Sequence, residues 1–205
     1  MRATWVRPGG PLIPDQQKAK LMGIDQFFWD SKDPAAPIGL PALLVTMRGN
    51  GWKVGINRGT RSPQYPDSEL DPAAFGRQLS QDLTDVQTNG QQCSVIANAE
   101  THDMDWIERM IRAFAAARPG RYLYWALEPL QAGLITVTLR DLINGNPHVW
   151  IVPEMYRGTM SPVSERAVVN NLLQGGFHED KVKVYYDRWY EDFDGIVYDY
   201  TNAAA

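Results

Sequence analysis

The chain reads as an α/β protein: an irregular or small (β/α) TIM-like barrel with an extended N-terminal arm. Three observations predict this. Short runs rich in Val, Ile, Tyr and Trp alternate with helical patterns over most of the 205 residues, and strand–helix repeats with short connections make parallel sheets. No Gly-x-Gly-x-x-Gly follows the first strand, and no Gly-Lys-Ser/Thr loop occurs anywhere. Dinucleotide-binding and P-loop open sheets thereby lose their main support. Finally, acidic residues recur at the ends of successive strands, which a barrel brings together at one mouth.

Taken in order, residues 1–19 form the arm and residues 20–205 the barrel. The arm carries Pro8, Pro11 and Pro14 with Gly9 and Gly10. Prolines fix φ and remove donors, so no regular structure is expected there. Trp5 on such an arm implies either a strap across the chain's own surface or a contact with another subunit. Leu21 to Trp29 reads as the first strand, and Pro34 to Met47 as a helix stopped by Gly49-Asn50-Gly51. Trp52 to Asn57 is the second strand. Asp71-Pro72 supplies an N-cap with proline at the first helical position, followed by Phe75, Leu79, Leu83 and Val86 at helical spacing. Cys93 to Glu100 is the third strand, Trp106 to Ala117 a helix stopped by Pro119-Gly120, and Tyr122 to Glu128 the fourth strand. Val137 to Ile143 is a short helix, Val149 to Val152 the fifth strand, and Ser164 to Leu173 a helix broken at Gly175-Gly176. Val182 to Tyr186 and Gly195 to Tyr198 close the series.

Composition excludes several classes. The net charge is −4 with a pI near 5.4, whereas a nucleic-acid binder usually shows a basic stripe. The lone Cys93 excludes an internal disulfide and a cysteine zinc cluster. No apolar run reaches the roughly 18 residues of a membrane span, and the charged opening lacks the apolar stretch of a signal peptide. His102, His148 and His178 are scattered without metal-ligand spacing, so neither a metal nor another cofactor is expected. No Gly-x-Ser-x-Gly elbow supports a serine hydrolase.

The candidate catalytic residues are Glu100, Asp25, Glu128, Glu154 and Asp187. Each lies in or just past a strand, and acids crowded at a mouth raise one another's pKa values, as a general acid requires. Any one of them is also an ordinary helix cap or loop residue. On the third strand, side-chain alternation puts Ile96, Asn98 and Glu100 on one face and Ala97 and Ala99 on the other. Trp29, Trp125, Trp150 and Trp189 lie in or beside the same strands, where flat rings stack on sugars or pack the core. Trp29, Trp125 and Trp189 form, with Asn98 and Tyr156, the expected substrate-binding set. Arg58 and Arg61 suit either an anionic group or a solvated loop.

Gly23-Ile24-Asp25, Asn98-Ala99-Glu100, Trp150-Ile-Val-Pro-Glu-Met-Tyr156 and Val197-Tyr-Asp-Tyr-Thr201 together resemble the skeleton of the family-25 glycoside hydrolases, the lysozymes of bacteria and phages. The resemblance implies an irregular (β/α) barrel with Glu100 as general acid and Asp25 on the site floor. It departs at Asn98, where the family has an aspartate. An amide cannot serve as a carboxylate nucleophile or stabilise an oxocarbenium ion by charge. Glycosidase-like barrels of this kind also resemble minor tail proteins of phages.

Two functions follow as expectations. The first is a phage-tail structural or host-recognition protein, in the virion or the infected host's cytoplasm, that contacts other tail subunits through the arm and possesses a degenerate site. The second is an active glycosidase acting on peptidoglycan or another cell-envelope glycan. Asn98 favours the first; Glu100, Glu128, Glu154 and Asp187 favour the second. A sugar-phosphate enzyme is weaker still, since no glycine-rich phosphate loop appears late in the chain.

Overall fold

A computed structural model describes residues 2–6, 20–21, 23–30, 48–49, 51–59, 71–86, 94–99, 102–155, 162–190 and 193–199. The chain is α/β, as the alternation predicts. Its strands are β1 (Arg2–Val6), β2 (Gln26–Asp30), β3 (Lys53–Gly59), β4 (Ser94–Asn98), β5 (Tyr122–Leu127), β6 (Val149–Met155), β7 (Lys183–Tyr190) and β8 (Phe193–Asp199). Its helices are α1 (Pro72–Val86), α2 (Met104–Ala117), α3 (Val137–Gly145) and α4 (Pro162–Gln174), with short 3₁₀ turns at Pro129–Leu134 and Glu179–Lys181. The strands hydrogen-bond in chain order, and β8 returns to β1, so the sheet closes on itself.

Two expectations are corrected here. Residues 2–6 are not part of an unstructured arm: Ala3 pairs with Gln26 and Val6 with Trp29, parallel to β2, while Arg2 and Ala3 pair antiparallel with Tyr198 and Val197 of β8. The prolines that signalled an arm lie beyond Val6, among residues 7–19, which are outside those described. The barrel is also not wholly parallel. Strands β1 to β7 run the same way, but β8 is antiparallel to both its neighbours. Only residues 191–192 separate β7 from β8, and a parallel crossover needs a dozen residues or more.

Several boundaries move for local reasons. Residues 20–21 form a helical turn, Gly23 takes a positive φ of 68°, and the strand begins only at Gln26. Strand β6 continues through Pro153 to Met155, which places Glu154 inside the strand. The expected helix Pro34 to Met47 lies outside the described residues. Helix α2 starts at Met104 because the Asp103 side chain accepts the Trp106 N–H at 2.8 Å. Thr136 caps α3 in the same way through Leu139 N–H at 3.2 Å. At α1, Asp71 accepts from Ala73 and Ala74 at 2.9 and 3.0 Å. The Ala74 N–H, chiefly, holds the Asp71 carboxyl below its ordinary pKa.

The two sheet faces differ in chemistry. Phe27, Trp29, Val54, Ile56, Val95, Ala97, Leu123, Trp125, Leu127 and Ile151 face outward into the core shared with the helices. Ala3, Phe28, Ile96, Tyr124, Ala126 and Val152 form the smaller core inside the barrel. Helices α1 and α2 approach closely at Gly76, where an added Cβ would overlap the Met110 carbonyl oxygen and lie 3.0 Å from Phe114 N. Beneath α1, Arg58 points outward from β3 and bonds Asp82 at 3.1 Å, with both side chains almost wholly buried. Gln78 also donates to Asp82, at 2.8 Å. Arg58 is thus committed to the fold and not to an anion in a loop.

Two stability measurements check this packing. Gly76→Ala should lower the urea midpoint by an amount worth about 1–3 kcal/mol, while Gly133→Ala, with no atom within 4 Å of its added Cβ, should leave it nearly unchanged. Asp82→Ala removes the carboxylate beside a buried guanidinium and should cost about 3–5 kcal/mol. Replacing the pair together, Arg58→Met with Asp82→Leu, should cost markedly less in the same titration.

Candidate functional site

Residues at one register level of a parallel barrel face the same way, so the strands' C-terminal ends can be read as a ring. Level with one another lie Gly59, Asn98, Ala126 and Val152 on β3, β4, β5 and β6. One step further out on β6 is Glu154. Asn98 Nδ2 donates to Glu154 Oε1 at 3.4 Å across 56 residues of chain. Glu154 is only 4% exposed, and strand alternation sets it on the same inward face as Val152. This pair joins β4 and β6 at the mouth. Small neighbours at Gly59 and Ala126 leave Asn98 without bulky side chains beside it at its own level.

Glu128 follows β5 with extended backbone (φ −66°, ψ 127°) and precedes the Pro129–Leu134 turn, whose N-terminus its side chain does not cap. Extending the β5–β6 register from Ala126 and Val152 brings Glu128 level with Glu154. Glu128 is half-buried. Two carboxylates therefore end adjacent strands.

Sequence reasoning passed over Asn57. It is 2% exposed and lies beside Ile96 in the register, on the inner face. The signal was present: Val54, Ile56 and Arg58 alternate with Gly55, Asn57 and Gly59, and a strand whose second face is glycine and asparagine is unlike a two-sided apolar core. Deeper in, Gln26 donates to Ser94 and Phe28 lies over Gly55, whose added Cβ would come within 2.6 Å of both the Phe28 ring and Ser94 O.

Other expected site residues fall elsewhere. Asp25 precedes β2, at the opposite end from the mouth, where its carboxylate bonds Lys53 at 2.9 Å with both side chains well exposed. Trp29 and Trp125 belong to the outer core, 6% and 0% exposed, on the sheet face opposite Asn98. They are packing residues, because Trp125 alternates with Tyr124 and shares its face with Leu123 and Leu127. Asp187 lies in β7 where the β7–β8 register shifts between Tyr186 and Trp189, and Trp189 pairs with Asp194. Glu100 and Tyr156 lie outside the described residues. His102 stacks on Trp106 at 3.7 Å, beside the Asp103 cap.

The inner face at the other end of the barrel is aromatic. Trp150 stacks on Tyr122 and Tyr124 at 5.4 and 5.1 Å, and Lys181 Nζ lies 5.4 Å from its ring. The buried Lys181 ammonium also donates to the carbonyls of Asn146 and Val149. Burial holds its pKa below the ordinary lysine value.

No family model and no curated protein matches the chain. Among solved structures, a chain described as "PhdJ bound to substrate intermediate" aligns at 16% identity with a TM-score of 0.47, covering 89% of this chain. The present chain spans 58% of that chain's length. A likeness of this size fixes neither fold nor chemistry. No described helix is long and apolar enough to cross a membrane.

The lysine offers a pH test. Its proton is held less tightly in the folded state than in the unfolded one, so between the lowered folded pKa and about 10.5 the unfolded chain binds more protons. Stability relative to Lys181→Met should therefore rise with pH as it climbs through that window, read as the difference between the two urea midpoints from pH 8 upward. A flat or falling difference would mean the ammonium is not disfavoured by burial.

Proposed function

We propose that this chain is a glycosidase-type (β/α) barrel acting as a carbohydrate-recognising component of a phage tail, with a mouth that binds a cell-envelope glycan and does not hydrolyse it. The observation that carries the binding reading is the Asn98–Glu154 hydrogen bond at the mouth. A two-carboxylate hydrolysis needs a second acid as nucleophile or base. On β4 the residue that donates to the buried Glu154 is Asn98, an amide that carries no charge. The pair offers a ligand fixed donor and acceptor positions, which is what a sugar hydroxyl or acetamido group requires. The tail assignment rests on the sequence resemblance.

A hydrolytic reading is favoured by one specific feature, the level placement of Glu128 and Glu154 on neighbouring strands. In that case Glu128 or Glu100 would give the leaving oxygen its proton, and Glu154, turned by Asn98, would face the reacting carbon or a water.

Incubating the purified protein with insoluble peptidoglycan and with arabinogalactan separates the two. Binding reading: the protein sediments with one of the glycans, no reducing ends are released, and Asn98→Ala or Glu154→Gln weakens sedimentation about tenfold. Hydrolytic reading: reducing ends appear, and Glu100→Gln, Glu128→Gln or Glu154→Gln lowers their release by about 10²-fold or more. Neither binding nor release on any envelope glycan would overturn the carbohydrate assignment.

A further inference from the structure

The polar groups at the ends of β4 and β5 are biased toward one kind of partner. Asn98 donates through Nδ2 to Glu154, and an ionised carboxylate only accepts, so the amide is held in one orientation. Its Oδ1 is left as an acceptor, with no donor to it among the described residues. Gln131 is fixed in the same way: its Nε2 donates to the His102 carbonyl at 3.5 Å, and its buried Oε1 has no donor among the described residues. Glu128, whose backbone carbonyl accepts the Gln131 N–H at 2.9 Å, has no side-chain partner among them either.

Three acceptors, one of them a half-buried carboxylate, thus lie where β4 and β5 end. Among the described residues no lysine or arginine occupies the inner face of β3 to β6 at or beyond the Asn98 level. A buried acceptor without a donor costs free energy until a ligand supplies one. An N-acetyl group would bring one N–H and a carbonyl oxygen that such acceptors repel. A free ammonium brings three donors and a charge that pairs with a carboxylate.

Resting on the carbohydrate reading above, we propose that the mouth selects an amino sugar with a free ammonium group over its N-acetylated form. The ammonium pairs with Glu128, and neighbouring hydroxyls donate to Asn98 and Gln131.

The probes are a glucosamine trisaccharide, its N-acetylated counterpart and trilysine, a cation without a sugar, each titrated calorimetrically into the full chain. Salt of about 0.15 M screens charges beyond about 8 Å. The glucosamine trisaccharide should bind tenfold or more tightly than the other two. Glu128→Gln should abolish that preference at an unchanged melting temperature, while Glu179→Gln, an exposed acid at the base, should leave it intact. Equal or tighter binding of the N-acetylated form, trilysine binding as tightly as the amino sugar, or a preference that survives Glu128→Gln would overturn the proposal and leave the carbohydrate reading standing. Sedimentation with peptidoglycan or arabinogalactan without binding of either trisaccharide would do the same. Failure of both the trisaccharides and every envelope glycan to bind would remove the proposal and the carbohydrate reading together.

Discussion

Closure of the sheet by β1 is the constraint on which the other features depend. An open eight-stranded sheet would expose two rows of unpaired backbone groups. Here five residues near the start of the sequence lie between β2 and β8 and satisfy both sides. Once the sheet is closed, each strand has an inside and an outside, and every side chain acquires one of two unlike environments. Outside, large apolar residues and the helices make the main core. Inside, the space narrows to Phe28, Ile96, Tyr124, Ala126 and Val152, with polar groups toward the mouth. Closure also requires one antiparallel strand, since the two-residue link after β7 cannot cross over.

The inside is graded along the barrel axis. Aromatic stacking of Tyr122, Tyr124 and Trp150, with Lys181 beside the Trp150 ring, fills the base. Gly55 gives room for the Phe28 ring in the middle. Toward the mouth, small residues at Gly59 and Ala126 flank Asn98, and Glu154 is reached only by a strand that runs on through Pro153. Pro153 lies opposite Leu127 in the register but, lacking an N–H, donates no ladder hydrogen bond there. The same grading puts bulk where the barrel is sealed and polar groups where a ligand could enter.

Charge is used differently on the two faces. On the outside, Arg58 and Asp82 meet beneath α1 in a place where neither would be tolerated alone. On the inside, Glu154 accepts a hydrogen bond from the amide of Asn98.

The strand–helix order, most helix starts and the inward face of Asn98 were legible from residue patterns, because capping residues, helical spacing and strand alternation act over a few residues. Asp71 caps the helix that follows it, and Ala97 and Ala99 face outward as their size implies. Other assignments required distances in space. Trp29 and Trp125 looked suited to stacking on a sugar, yet a ring's composition is the same on either face of a sheet, and only closure put them outside. Asp25 looked like a floor residue until the β2–β3 register set Lys53 beside it at the far end. Arg2 and Ala3 precede a proline-rich stretch, and nothing local says that the last of the eight strands will pair with theirs. The contact between Asn98 and Glu154 joins residues 56 positions apart. Local propensity names the elements; which face is inside, and which carboxylate meets which amide, is set by long-range pairing whose free energy appears only when the sheet closes.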